Sequence, residues 1–270
     1  ARYRTRVIEA GAGEALILIH GVGASAEVFA RNIMNLAQHF HVYAIDALYH
    51  GYSSLEPYDS EHRVERQAEA VIDFMDAVGV RWAHIEGESM GAGIAFQIGL
   101  VHPERTGRLI LNSGSYYVDF QRTFPEMPES NLLLPLSRAS VTHVTRKTVR
   151  RRMEYLVANP MHLTDELVEV QYQMYANPAI RESMKRVYGI TAPRPRLMHY
   201  DEDVAAKLKS ETLVLWTDLN RGAGPEVGEY LASVIPGAQY HLIHGAAHWP
   251  QWEQPEEHDE AVLKFLKGIG

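Results

Sequence analysis

The 270-residue sequence contains no cysteine, which excludes a disulfide framework, a thiolate nucleophile and cysteine-ligated metal sites. It also lacks long hydrophobic runs. Ala15–Ile19 is typical of the apolar segments, and about 20 such residues are needed to cross a bilayer. The chain opens without an apolar signal segment. We therefore expect a cytoplasmic protein that has no membrane partner.

Positive charge is scarce as well. Lys and Arg number 26 against 34 Asp and Glu, so the net charge is −8. Non-specific nucleic-acid binding depends on neutralising phosphates, and we expect no nucleic-acid partner. The hydrophobic fraction of 46% and the charged fraction of 22% are those of a globular protein rather than a disordered, collagen-like or coiled-coil one. The length fits one large domain, or one domain with an insert.

Short apolar segments alternate along the chain with amphipathic helical patterns. The predicted strands are Ala15–Ile19, Val42–Ile45, Ala83–Ile85, Leu109–Leu111, Thr212–Trp216 and Tyr240–Ile243. The predicted helices are Ala26–Gln38, Val64–Val78, Met90–Val101, Pro225–Val234 and Glu256–Leu266. Near-continuous apolar strands are typical of parallel sheets covered on both faces. The sequence therefore predicts the α/β class, with a mostly parallel central sheet flanked by helices.

This alternation stops between about residues 117 and 200, where no buried strand is predicted. The helices predicted in this stretch are Leu132–Arg138, Arg146–Ala158, Thr164–Tyr175 and Ala179–Tyr188. We interpret residues 1–116 and 201–270 as the core and residues 117–200 as a helical insert that covers the sheet.

The segment Gly87-Glu88-Ser89-Met90-Gly91 has the pattern G-x-S-x-G and lies between a predicted strand and a predicted helix. A strand–turn–helix context of this kind is what a nucleophile elbow requires, with the serine exposed on a strained turn. Ser89 is therefore the candidate nucleophile. The alternative is an ordinary glycine-rich helix start that packs or binds an anion.

Two further segments fit the same chemistry. His20-Gly21-Val22-Gly23 follows a predicted strand, and its glycines allow close approach to a reacting carbonyl. The N–H groups of Val22, or of Gly23, and of Met90 are candidate oxyanion donors. His248 follows the last predicted strand in the chain order Ser…acid…His, so it is the candidate general base.

Together these features resemble the α/β-hydrolase fold superfamily over nearly the whole chain. The ending Gly245-Ala-Ala-His-Trp-Pro-Gln-Trp-Glu-Gln-Pro and the stretch Leu163-Thr-Asp-Glu-Leu resemble segments of the meta-cleavage product hydrolases. The resemblance implies hydrolysis of a carbon–carbon bond in a vinylogous diketone formed by ring cleavage of an aromatic compound. It also implies a helical lid, no cofactor, no metal, a possible homodimer, and Trp249 beside the base.

The third member of the triad departs from this pattern. Where the family has aspartate, this chain has Asn220, and Asp218 lies two residues earlier. An amide can orient an imidazole, but it carries no charge to stabilise the imidazolium. We expect either Asp218, in a shifted loop, or Asn220 itself to orient His248. A more distant carboxylate such as Asp46 is a further alternative.

Two more departures concern the substrate. Gln171 stands where the family lid has an arginine for the substrate carboxylate, and Glu88 stands where asparagine is common. Arg150, Arg151 and Arg152 either supply a replacement charge or form a solvated helix face. Other candidate pocket residues are Phe124, Met127, Leu132 and Tyr172.

Three functions are compatible with the sequence. The first is a serine-dependent C–C bond hydrolase. The second is a carboxylesterase or lactonase that uses the same residues on a small, less acidic substrate. The third is an inactive member that binds a small ligand under its lid, which Asn220 alone supports. The fold by itself does not decide among them.

Overall fold

The computed structural model describes residues 2–114, 132–193, 202–221 and 223–268. Within these residues, seven strands form one sheet in the order β1-β3-β2-β4-β5-β6-β7. The strands are β1 (Val7–Ala10), β2 (Ala15–Ile19), β3 (His41–Ile45), β4 (Ala83–Glu88), β5 (Thr106–Asn112), β6 (Thr212–Thr217) and β7 (Gln239–Ile243). Only β1 among them runs antiparallel to its neighbour, pairing Val7 with Ile45. The predicted α/β class and mostly parallel sheet are confirmed.

The central strands are buried because helices cover both faces of the sheet. Every residue of β2, β4 and β6 is buried. Alternate side chains of β2 belong to two separate cores. Leu16 and Leu18 face one core, and Ile17 and Ile19 face the other. A strand with both faces buried often reads as a continuous apolar run, which is why β2 is visible in the sequence. Strand β4 is equally buried but carries His84, Glu86 and Glu88.

The helices alternate with the strands as expected for this class. They are α1 (Ile33–Leu36), α2 (Arg63–Ala77), α3 (Met90–Val101), α4 (Leu133–Thr142), α5 (Arg146–Leu156), α6 (Asp165–Ala176), α7 (Pro178–Val187), α8 (Glu202–Ala205), α9 (Pro225–Val234), α10 (Pro250–Glu253) and α11 (Pro255–Leu266). None of the helices in the described ranges combines the length and the apolar character that crossing a membrane would need.

Helices α4 to α7 lie between β5 and β6 and correspond to the four helices predicted for the insert. Side-chain caps set three of their starts. Thr145, Thr164 and Asn177 each accept a hydrogen bond from the first turn of α5, α6 and α7, respectively. The predicted ends of the insert, near residues 117 and 200, lie outside the described residues, and the division into core and insert stays a prediction.

Two elements differ from the prediction. Strand β1 was not predicted, since it is a short, half-buried edge strand with little apolar signal. The single helix predicted over Ala26–Gln38 is wrong. The chain instead forms a 3₁₀ turn at Ala26–Phe29 and the short helix α1. The side chain of Asn32, between them, is buried and donates to Asp259 Oδ1 at 2.8 Å. Tertiary hydrogen bonding here overrides local helix propensity.

Candidate active site

Ser89 lies on a strained turn between β4 and α3. Its φ of 55° is in the left-handed region that non-glycine residues rarely adopt. The flanking glycines make this turn possible. A Cβ on Gly87 would overlap the backbone of Gly91, and a Cβ on Gly91 would overlap the carbonyl of Ile19 in the adjacent strand β2. The predicted strand–turn–helix context of Ser89 is therefore present.

His248 reaches this turn from the loop after β7. Its Nε2 lies 2.8 Å from Ser89 Oγ, so the two predicted residues share a hydrogen bond. Backbone contacts hold the loop in place. The N–H of His248 donates to the carbonyl of Leu156 in α5 at 3.0 Å. The N–H of Ala247 donates to the buried carboxylate of Glu253 at 2.8 Å.

The Nδ1 of the same imidazole faces an amide, not a carboxylate. Asn220 Oδ1 lies 3.1 Å from His248 Nδ1. Asp218 instead accepts from the N–H of Gly245 at 2.8 Å and contacts His244 Nδ1 at 3.1 Å. The prediction that a shifted loop brings Asp218 to His248 is not met, because that carboxylate closes the turn after β7.

Asp46, the more distant alternative, is also engaged elsewhere. Its carboxylate accepts from the N–H groups of Ala26 and Tyr52, each at 2.9 Å. It therefore has a structural role in the loop after β3. Of the three candidates, Asn220 is the one that contacts the imidazole.

This arrangement favours the tautomer that general-base chemistry needs. Since Asn220 Oδ1 can only accept a hydrogen bond, the proton lies on His248 Nδ1 and the Nε2 lone pair faces Ser89 Oγ. Burial, and then the charge of Arg152, lower the pKa of His248 to about 4. The imidazole itself is therefore neutral near pH 7.

Glu88 places a second ionisable group against the same imidazole. Its side chain is fully buried, and its Oε2 accepts from the N–H of Gly21 at 2.7 Å. Its Oε1 lies 3.3 Å from His248 Nε2 and has no hydrogen-bond partner among the described residues. Burial raises the pKa of Glu88 to about 8, against the opposing effects of the Gly21 N–H and of Arg152.

The predicted oxyanion loop is held from three sides. Glu88 accepts from the N–H of Gly21, and the carbonyls of Val22 and Gly23 accept from Arg152 Nη2 at 2.7 Å and from the Tyr175 hydroxyl at 2.8 Å. Among the described residues, no backbone hydrogen bond uses the Val22 N–H. Met90 opens α3, where an N–H has no intrahelical acceptor. Neither N–H is thus committed to a backbone acceptor among the described residues, and their role as oxyanion donors stays a prediction.

Arg152 is the site residue that the sequence located least well. Its side chain is 1% exposed, its Nε donates to Ser137 Oγ at 3.0 Å, and its Nη1 has no partner among the described residues. Arg150, two residues earlier, pairs with the exposed Asp165. The sequence did contain a signal, because Val149, Met153 and Leu156 share a helical face with Arg152 and are buried with it.

These side chains leave only a small cavity of about 10 Å³ over Ser89, which is room for about one water molecule. It is lined by Gly21, Val22, Ala24, Glu88, Ser89, Leu133, Arg152, Leu156, His248 and Trp249. The position predicted for Trp249 beside the base is therefore met. Within the described part of the chain, no three His, Asp or Glu side chains are arranged to hold a metal ion.

Several predicted pocket residues lie elsewhere or are not described. Gly23 and Gln171 are absent from the cavity wall that the described residues form, although Gln171 is buried in α6. Leu132 is largely exposed, and the ring of Tyr172 stacks under the guanidinium of Arg146. Phe124 and Met127 lie outside the described residues.

Comparison with known proteins identifies the family. A family model described as the alpha/beta hydrolase fold matches residues 14–255. The chain belongs to the α/β-hydrolase fold family. This hydrolase is 31% identical to 2-hydroxymuconate semialdehyde hydrolase of Pseudomonas putida, across 98% of this chain and 92% of that protein. It is 29% identical to 2-hydroxy-6-oxo-6-phenylhexa-2,4-dienoate hydrolase of Burkholderia cepacia, with 98% and 92% covered.

Solved structures agree on the fold of the hydrolase. A meta-cleavage product hydrolase from Pseudomonas fluorescens IP01 superimposes with a TM-score of 0.81 at 24% identity, covering 98% of this chain and 95% of that one. A carboxylesterase from Bacillus subtilis superimposes with a TM-score of 0.78 at 20% identity, covering 99% and 89%. Similarity at these identities establishes the architecture and not the substrate.

Replacing the two candidate partners of His248 separates their contributions. We expect Asn220→Ala to lower kcat about 10²-fold, because the imidazole loses the contact that orients it. Asp218→Asn keeps the hydrogen bond to Gly245 and is expected to stay within about threefold of the wild type. Steady-state kinetics of both variants tests this. A large loss in Asp218→Asn with Asn220→Ala unaffected would reverse the assignment.

The buried carboxyl of Glu88 predicts a pH-dependent stability. Since its pKa is raised from 4.5 to about 8 in the folded protein, the folded state binds the proton more tightly than the unfolded state. The wild type therefore loses stability relative to Glu88→Gln as the pH rises from about 4.5 to about 8. Thermal unfolding of both proteins across that window measures it. A Tm difference that does not change with pH would contradict the prediction.

Proposed function

We propose that this hydrolase cleaves a carbon–carbon bond in a vinylogous diketone of the 2-hydroxy-6-oxo-dienoate type, a ring-cleavage product of aromatic-compound degradation. The observation that carries the proposal is the 2.8 Å contact between Ser89 and His248, beside the free Nη1 of the buried Arg152. The names of the curated relatives, which act on substrates of this class, support it.

In the proposed reaction, Ser89 is the nucleophile and His248 is the base. The dienol first ketonises, and Ser89 Oγ then gives its proton to His248 Nε2 and attacks the isolated carbonyl. The N–H groups of Val22 and Met90 stabilise the oxyanion. When the C–C bond breaks, its electron pair passes along the vinylogous chain, and that fragment takes the proton from His248. Water then hydrolyses the acyl-serine, so one water is consumed and an acid and a dienoate are released.

Arg152 is proposed to receive the substrate carboxylate. A free guanidinium N–H forms a charge-assisted hydrogen bond with a carboxylate, and a buried Nη1 without a partner is stabilised when such an anion arrives. Arg152 would thus replace the lid arginine whose place Gln171 takes. The charge of Arg152 also offsets Glu88, which would otherwise repel an acidic substrate. Helices α4 and α5, which contribute Leu133, Arg152 and Leu156 to the cavity wall, would act as the lid.

The proposed activity is tested by stopped-flow absorbance with a panel of coloured dienols, some carboxylated and some neutral. We expect the wild type to bleach the carboxylated members, because cleavage destroys the conjugated system. Ser89→Ala serves as the control and is expected to bleach them at least about 10³-fold more slowly. No bleaching of any member by the wild type would overturn the proposal.

A carboxylesterase or lactonase is the second candidate function. The observation that favours it is Glu88, a carboxyl group in the cavity wall that suits a neutral substrate better than an acidic one. Turnover of short-chain esters or lactones, with no bleaching of any dienol, would select this function. A cytoplasmic location and a homodimer remain predictions that rest on the sequence and the family resemblance alone.

The proposed role of Arg152 predicts that its replacement weakens the binding of carboxylated substrates more than that of neutral ones. We expect Arg152→Met to raise KM for a carboxylated dienol about 10- to 100-fold, the value of a charge-assisted hydrogen bond of about 1.5–3 kcal/mol. A neutral ester lacks the carboxylate, so its KM is expected to change much less. Arg151→Met, at an exposed position on the same helix, is the matched control. Equal losses for both substrates would mean that Arg152 only supports the loop through Val22.

A further inference from the structure

The imidazole of His248 lies between a neutral amide and a carboxyl group, and the carboxyl group is on the unexpected side. Asn220 contacts Nδ1, where a triad of this kind has its acid. Glu88 Oε1 lies 3.3 Å from Nε2, the nitrogen that receives the serine proton. The imidazolium formed during proton transfer thus has no charged partner at Nδ1 and one ionisable partner at Nε2.

We propose that Glu88 supplies to His248 the negative charge that Asn220 lacks. The acidic residue that assists the base would then be the one directly before the nucleophile in the sequence. The inference rests on the proposed pairing of Ser89 with His248, and it does not depend on which substrate is cleaved. Glu88 stabilises the imidazolium electrostatically and neither gains nor loses a proton in the reaction cycle. The proton passes from Ser89 Oγ to His248 Nε2 and on to the departing fragment.

Support of the oxyanion loop alone does not require a carboxylate at this position. The N–H of Gly21 uses only Oε2, and a glutamine oxygen would accept that hydrogen bond equally well. Oε1 is buried without a partner among the described residues except for its approach to His248. Burying a carboxyl group in this way is unfavourable for folding, and support of Gly21 alone does not account for that cost.

Burial raises the pKa of Glu88 to about 8, so this carboxyl group ionises in the mildly alkaline range, and the nearby charges adjust that value. Arg152, from helix α5, lines the same cavity and lowers its pKa. Glu86, two residues earlier in β4, raises its pKa. The charge of Glu86 is itself compensated by His258 Nε2 at 2.7 Å. Among the described residues, the remaining ionisable group that faces Glu88 is His248.

The contact between Glu88 and His248 makes the reactivity of Ser89 depend on pH. A proton shared between Glu88 Oε1 and His248 Nε2 occupies the lone pair that must accept the proton of Ser89. The reactive form is therefore the one in which this pair has lost its shared proton, with Glu88 ionised and His248 neutral. Reactivity of Ser89 is expected to rise with pH through one ionisation that belongs to the pair.

The decisive comparison uses Glu88→Gln, Asn220→Asp and the double variant. The measurement is the rate at which a fluorophosphonate labels Ser89, taken as a function of pH, together with kcat/KM on a short ester. We expect Glu88→Gln to lower the labelling rate at its high-pH plateau by about 10²- to 10⁴-fold, as loss of the triad charge does elsewhere. The acid limb of this variant's pH profile, in which the labelling rate rises with pH, is expected to move to lower pH, because the imidazole loses the adjacent negative charge.

The double variant moves the charge from one side of the ring to the other. Adding Asn220→Asp to Glu88→Gln is expected to recover at least about tenfold of the lost rate, since a carboxylate at Nδ1 can stabilise the imidazolium. Asp218→Asn is the matched control, because Asp218 also contacts a histidine, His244, but lies away from Ser89. It is expected to alter neither the plateau nor the limb.

Asn220→Asp in the wild-type background gives an independent reading that does not require Glu88→Gln to fold. If Glu88 already provides the charge, the added carboxylate raises the plateau by less than about threefold and shifts the acid limb to higher pH. A gain of about 10²-fold or more would show that His248 had no counter-charge, and it would overturn the inference.

Two other results would also overturn it. One is a folded Glu88→Gln variant with an unchanged plateau and limb, which would reduce Glu88 to a support for Gly21. The other is a loss in Glu88→Gln that the double variant does not recover at all. Labelling of Ser89 is independent of dienol turnover. A wild type that bleaches no dienol therefore removes the proposed function without deciding this inference, which the labelling profiles decide separately.

Discussion

The buried guanidinium of Arg152 is the interaction on which the rest of the site depends. A cation removed from water must find acceptors nearby, and Arg152 finds them in two layers of the fold. Within the helices it donates to Ser137 in α4, and below them it donates to the carbonyl of Val22. Burial lowers the pKa of His248 and the Arg152 charge lowers it further, whereas burial raises the pKa of Glu88 and the Arg152 charge partly offsets that rise. One side chain thus supports the oxyanion loop and also contributes to the electrostatics of the proposed base.

The sequence predicted most of the fold and the central pair of the site for identifiable physical reasons. Strand β2 lies buried on both faces and is visible as an uninterrupted apolar run. Ser89 was found because the close approach of backbones at Gly87 and Gly91 demands glycine, which leaves a recognisable spacing. His248 was found because it follows the last strand. Each of these features depends on local sequence, so local sequence records it.

The remainder depends on contacts between distant segments. Asp218 and Asn220 lie two residues apart, and the turn after β6, tied to Gly245, decides which of them faces the imidazole. No property of the two residues alone predicts that choice. The burial of Arg152 was visible only if the arginine run was placed on a helical face together with Val149 and Met153. The break between Ala26 and Gln38 follows from the bond between Asn32 and Asp259, which are more than 200 residues apart.

The helices between β5 and β6 hold both halves of the site directly. Arg152 and Tyr175 bind two consecutive carbonyls of the oxyanion loop, and Leu156 accepts the backbone N–H of His248. Any displacement of these helices that admits a bulky molecule must break some of these bonds. A molecule can therefore enter only while part of the site is disrupted, and reaction must wait until the helices have re-formed these bonds around it.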